Sequence, residues 1–179
     1  MDRRYAMIGV DMETDVGSFT PFYEGVKHGT PKLISLFGEK GLKATFFFTG
    51  ECARENPEVA RLVQESGNEV GAHSLYHETV GDELFPIPGI KPLLPHEVKP
   101  RLQLTDEWIE EACGHKPVSF RSPRLFGSTA VVNALEMQHA LGALQVHRRH
   151  AGREAVGATR EELRAAGEDL QRALVEGIG

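Results

Sequence analysis

LKATFFFTGECARENPEVARLVQESGNEVGAHS, residues 42 to 74, decides the fold class. Its first nine residues are rich in aromatic and β-branched side chains and stop at a glycine, the pattern of a strand buried on both faces. A helix follows. Asn56 stands where an N-cap belongs, Pro57 suits the first helical position, Val59, Leu62 and Val63 recur on one face, and Gly67 ends the run. NEVGAHS, 68 to 74, returns to a strand. Strand, helix and strand joined by short connections predict two parallel strands linked by a right-handed crossover.

The same rhythm continues on both sides. YAMIGVD (5–11) reads as an earlier strand, followed by a helix carrying Val26, Leu33, Ile34 and Phe37 and stopped at Gly41. VSFRSP (118–123) reads as a fourth strand, with a helix around LTDEWIEEACG before it. The expectation is an α/β fold whose parallel sheet is open or closed into a barrel, with functional residues at the carboxyl ends of the strands. Asp11, His73 and Arg121 fall at such ends. Between the third and fourth strands lies ETVGDELFPIPGIKPLLPHEVKP (78–100), whose five prolines and length suit a lid or substrate wall.

Bulk properties exclude several functions. A chain of 179 residues suits one domain with a single core. Its net charge of -6 gives no electrostatic reason to bind nucleic acid or an anionic membrane, so small or neutral partners are expected. No apolar run reaches the length of a membrane span, and the first residues lack the apolar region of a signal peptide. Cys52 and Cys113 form neither a disulfide framework nor a CxxC metal clip. The expected compartment is the cytoplasm.

GAHSLYHETV (71–80) spaces His73 and His77 four apart, so on a helical turn their imidazoles converge on one ion. In VDMETD (10–15), Asp11, Glu13 and Asp15 are candidates for a third ligand. Alternation along an extended segment sends all three to one side, so one can ligate while a neighbour accepts a proton. One carboxylate and two histidines with an open position make a hydrolytic site rather than a structural one. The competing reading has the acids capping the next loop or helix, a role open to Asp11 and Asp15 but poorly suited to Glu13. Arg121, in FRSPR, either orients the base through a charged pair or forms a rim salt bridge.

The order VDMETD, HSLYH, FRSPRLFG resembles the first three motifs of the polysaccharide deacetylase family, carbohydrate esterase family 4, over about residues 5–136. The family includes chitooligosaccharide and peptidoglycan deacetylases. The resemblance implies a distorted (β/α) barrel of about seven strands, a divalent ion (zinc or similar), and metal-assisted hydrolysis of N-acetyl groups on a carbohydrate. It makes Asp11 the general base, His73 and His77 metal ligands, and Arg121 the residue tethering the base. The family's adjacent aspartates are separated here, so Glu13 becomes the third ligand and Asp15 the fallback. That spacing is similar to the cytoplasmic branch of the family, whose substrates extend to other amides, cyclic imides and allantoin-type compounds.

Composition shifts near residue 137: no aromatic follows Phe126, no proline follows Pro123 and no lysine follows Lys116. Residues 1–137 are therefore expected to be the N-terminal part of the catalytic domain and 138–179 a helical tail. In the tail Thr159 and Glu162 form a capping box, and Leu163, Ala166, Leu170 and Leu174 an apolar stripe. The family's late Leu-x-His, source of its general acid, is not recognisable. LQVH (144–147) follows Arg121 too closely, and a helical, exposed His147 is expected. An incomplete barrel leaves an open edge that the tail or a second copy of the chain must cover. Without the acid, a weakened enzyme or a metal-binding remnant is the alternative.

Overall fold

Three parallel strands, adjacent in the order of the chain, form the sheet in the computed structural model, which describes residues 7–16 and 20–139. They are β1 (Gly9–Met12), β2 (Thr45–Phe48) and β3 (Glu69–Ala72). Asp11 lies opposite Phe47, and Phe47 opposite Gly71. The link from β1 to β2 contains a π-helical turn, Gly25–Gly29, and α1, Thr30–Glu39. The link from β2 to β3 contains α2, Gly50–Glu55, and α3, Pro57–Glu65. Beyond β3 come α4 (Pro95–Cys113), a 3-10 turn (Pro123–Leu125) and α5 (Thr129–His139).

The aromatic run FFF explains the layering. Side chains alternate across a strand, so Phe46 and Phe48 face one way and Phe47 the other. Phe46 and Phe48 are fully buried in a core with Met12, Ala53, Ala60, Val63 and Ile109. Burial of each large apolar side chain contributes about 1.5–3 kcal/mol. A smaller cluster of Val80, Val98, Leu102, Val131 and Ala134 packs α4, α5 and the loop after β3 together.

Several expectations change in the structure. Residues 50–55, starting on the glycine that ends the nine-residue strand run, form α2, capped by Thr49 Oγ1 accepting from the Cys52 N–H. Asn56 therefore serves the end of α2: its Nδ2 donates to Cys52 O at 3.0 Å, and it makes no side-chain cap to α3. With α3 starting at Pro57, Val59, Ala60 and Val63 point inward, and Leu62 is 37% exposed. Segment 118–123 does not form a fourth strand. Only Phe120 bridges β3, through Ala72 N–H to Ser119 O and Arg121 N–H to Ala72 O. Pro117 and Pro123 flank this pairing without N–H groups to extend it.

The proline-rich segment is shorter than expected, because helix α4 begins at Pro95, with Glu97 accepting from the Leu94 N–H at 2.9 Å. Gly114 ends α4 in the left-handed conformation, φ 83°, a position suited to glycine. None of the described helices is long and apolar enough to cross a membrane. The capping box at Thr159, the apolar stripe after it and His147 lie outside the described residues.

Candidate metal centre

His73 follows the carboxyl end of β3, where its N–H donates to Phe48 O at 2.8 Å. The chain then bends rather than forming a helical turn: Ser74 and His77 both have positive φ. This bend brings the two imidazole centroids to 5.0 Å. Its first carbonyls are held from α2, Ser74 O by the Gly50 N–H and Leu75 O by the Glu51 N–H, each at 2.9 Å. The unpaired N–H groups of a helix start thus clamp the loop that carries both histidines.

On the side of β1, Asp11 and Glu13 both point into the same space. Glu13 Oε2 lies 2.9 Å from His77 Nε2 and 4.0 Å from His73 Nε2, and Asp11 Oδ2 lies 3.9 Å from His73 Nε2. Asp15 points elsewhere: its two oxygens accept from the Glu24 and Gly25 N–H groups at 3.0 and 2.8 Å, securing the start of the π-helical turn. This is the capping role open to it in the sequence, and it separates Asp15 from Glu13. Arg121 donates from Nη1 to Asp11 Oδ1 at 2.7 Å, with its guanidinium 4.3 Å from the Phe47 ring centroid.

The protonation pattern of the cluster asks for a cation. His73 Nδ1 lies 2.7 Å from Arg121 O, and a carbonyl only accepts, so the proton is on Nδ1. Nε2 is then left with a lone pair facing two carboxylates. Burial holds the His73 imidazole below its ordinary pKa and so favours the neutral form, although the Arg121 carbonyl, Asp11 and Glu13 oppose the shift. Burial alone would raise the Glu13 carboxyl, but contact with His77 and the charges of His73 and Arg124 carry it below its ordinary value. Glu13 Oε2 is buried against the imidazoles, 2.9 Å from His77 Nε2. The ligand atoms of Glu13, His73 and His77 all lie within 4.8 Å of one another, so these residues fit a divalent ion taking nitrogen and oxygen donors.

Three further residues shape the site. Gly9 leaves the space that Arg121 crosses: a Cβ there would sit 1.9 Å from Arg121 Nη2. Phe47 forms the floor under the guanidinium, and Arg124 donates from Nη1 to His77 O at 2.9 Å and to Thr79 Oγ1 at 3.2 Å. Gly9 carried a signal in the sequence, since it stands two residues before Asp11 on the same strand face. Phe47 and Arg124 had none, because their roles depend on contacts between distant segments.

Residues 15–142 match the polysaccharide deacetylase family. The chain belongs to that family. It is 28% identical over 107 residues to a chitooligosaccharide deacetylase of Azorhizobium caulinodans, covering 59% of this chain and 46% of that one. Among solved structures it resembles a family 4 carbohydrate esterase from Streptomyces lividans in complex with acetate, with a TM-score of 0.56, 22% identity, and coverage of 74% and 58%. It also resembles a family 4 pseudoenzyme from Bacillus anthracis, with a TM-score of 0.55, 21% identity, and coverage of 93% and 60%. The chain spans less than half the length of the curated relatives it matches.

Proposed function

We propose that this chain is a metal-dependent hydrolase of amide bonds that removes N-acetyl groups from a carbohydrate. One observation carries the reading: the ligand atoms of Glu13, His73 and His77 converge within 4.8 Å, directly beside the Asp11–Arg121 pair. In it, Glu13, His73 and His77 hold the ion and Asp15 does not. Zinc or a similar divalent ion bound there would supply Lewis-acid chemistry, polarising the acetyl carbonyl and acidifying water. Asp11 accepts the proton of the attacking water at a carboxylate oxygen. Arg121 fixes the rotamer of Asp11 and keeps that oxygen turned toward the pocket. His73, its proton held on Nδ1 by Arg121 O, offers Nε2 as a ligand, so the loop after Phe120 orients both base and ligand.

The three strands are read as the first part of a seven-stranded (β/α) barrel, and residues 138–179 as a separate tail. The names of the relatives favour a carbohydrate over a cyclic imide as substrate. Both cysteines are buried and unpaired, which supports a reducing compartment such as the cytoplasm. The test is acetate release from an N-acetylated chitooligosaccharide by the purified chain with added zinc. Release that disappears in Asp11→Asn and in His73→Ala supports the reading. Stoichiometric metal without release would instead favour a metal-binding remnant.

A further inference from the structure

Among the described residues, four that are not glycine have positive φ, and they lie on two loops that meet at the metal centre. Ser74 (63°) and His77 (58°) are on the loop after β3; Arg124 (58°) and Leu125 (60°) are on the loop after Phe120. A side chain in this conformation costs on the order of 1–3 kcal/mol and persists only where its surroundings enforce it. Strain confined to one place points to a task there.

The contacts show what enforces it. At the start of the bend, the amides of α2 hold Ser74 O and Leu75 O. In its middle, Glu78 Oε2 accepts from the Ser74 hydroxyl and the Tyr76 N–H. The His77 peptide follows. That peptide is held by Arg124, whose Nη1 spans His77 O and the Thr79 hydroxyl, with Thr79 only 1% exposed. The left-handed turn at Arg124, φ 58° and ψ 11°, is the backbone state from which the side chain reaches back across the loop. A planar, permanently charged guanidinium can hold two acceptors in a fixed orientation, which a flexible ammonium does less well.

We infer that Arg124 is the positioning residue of the metal centre: by binding the His77 carbonyl and the Thr79 hydroxyl together it fixes the turn that presents His77 Nε2 to Glu13. The inference rests on the reading that Glu13, His73 and His77 hold a metal. It gives Arg124 a role distinct from that of Arg121, which pairs with the base Asp11.

Cobalt(II) provides the test, because its absorption spectrum reports both affinity and coordination number. The full chain is titrated with Co²⁺ as the unmutated protein, Arg124→Ala, Arg124→Lys, His77→Ala and the His77→Ala/Arg124→Ala double variant, with thermal unfolding of each metal-free form alongside. Loss of a group that orients a ligand weakens metal binding by about 10- to 100-fold. That loss is expected for Arg124→Ala, a smaller loss for Arg124→Lys, and a changed Co²⁺ band shape for both. In the His77→Ala background, removing Arg124 is expected to weaken binding by less than about twofold, the usual error of additivity.

Unchanged affinity in Arg124→Ala, or an equal loss with and without His77, would overturn the inference and leave Arg124 a general loop staple. If Arg124→Ala fails to fold, Arg124→Lys, which replaces the planar donor by a flexible one, and Thr79→Val, which removes one of its two acceptors, carry the same comparison. No Co²⁺ uptake by the unmutated chain would remove the metal reading and this inference together. Uptake by the unmutated chain that is equal in Arg124→Ala and Arg124→Lys but reduced in His77→Ala would remove this inference alone.

Discussion

Replacing Gly9 by alanine should disconnect Arg121 from Asp11 while leaving the fold intact. The added Cβ would sit 1.9 Å from Arg121 Nη2 and 2.7 Å from its Cζ. Non-bonded heavy atoms rest at about 3.5 Å or more, so the guanidinium must retreat by roughly 1.6 Å. The hydrogen bond to Asp11 Oδ1 is 2.7 Å long, and a retreat of that size breaks it. The stability effect is small for two reasons. The displaced groups are the far end of the flexible Arg121 side chain and the edge of the Phe47 ring, whose Cε2 would lie 2.9 Å from the new Cβ and needs to give by only about 0.6 Å, and a partly exposed ion pair is worth about 0.2–1 kcal/mol. Alanine for glycine inside a strand returns about 0.5–1 kcal/mol, offsetting most of that. Catalysis responds differently, because misplacing a catalytic group by about 1 Å costs on the order of 100-fold in rate. The assay is acetate release from a chitooligosaccharide in the presence of zinc, with the melting temperature measured on the same samples. Gly9→Ala should lose about 100-fold in kcat/KM with the melting temperature nearly unchanged, and Arg121→Ala should match it. The double variant should be no worse than either single one, because both break the same pair. Undiminished activity in Gly9→Ala, or additive losses in the double variant, would refute the reasoning.

Burial pushes the Asp106 carboxyl up from 3.8 to about 7, with Lys116 opposing and Glu110 and Glu107 adding to the shift. The folded chain keeps this proton where the unfolded chain has lost it, so its contribution is full below about pH 4 and is lost as pH rises to about 7. Asp106→Asn should therefore gain on the order of 2–4 kcal/mol at pH 8 relative to pH 4, read from urea midpoints; parallel pH profiles would exclude this. Gly81→Ala puts a Cβ 2.5 Å from Phe126 backbone atoms, a contact that no rotamer change relieves. It should cost about 1–3 kcal/mol in urea unfolding and weaken metal binding through the displaced loop. The Cys52 thiol is fully buried, and that burial raises its pKa, so it should resist a thiol reagent until the chain unfolds. Labelling of the native protein at Cys52, located by peptide mapping, would contradict the packing of α2 against the sheet.

The strands β1 to β3 and helices α1 and α3 were legible because each rests on a local signal: β-branched and aromatic runs, glycine stops, and Pro57 at a helix start. Residues whose state depends on long-range pairing were not. VSFRSP has the composition of a strand, yet only Phe120 pairs with β3. Asn56 fits an N-cap by sequence, but the presence of α2 before it turns its amide to Cys52 O. Within the site, alternation brought Asp11 and Glu13 to one side but could not tell that Asp15 would be drawn to the amides of Glu24 and Gly25. The histidine spacing suggested one helical face, whereas convergence comes from a left-handed bend clamped by α2, Glu78 and Arg124. Arg124 stood in a quoted motif, and its role became visible only once the two loops were side by side.

The most direct test is equilibrium dialysis of the full chain against zinc, with bound metal counted per chain for the unmutated protein, Glu13→Gln, His73→Ala and Asp15→Asn. One ion per chain is expected in the unmutated protein and in Asp15→Asn, with occupancy lost in Glu13→Gln and His73→Ala at the same free zinc. Equal occupancy in all four, or loss in Asp15→Asn but not in Glu13→Gln, would contradict a metal centre built on Glu13, His73 and His77.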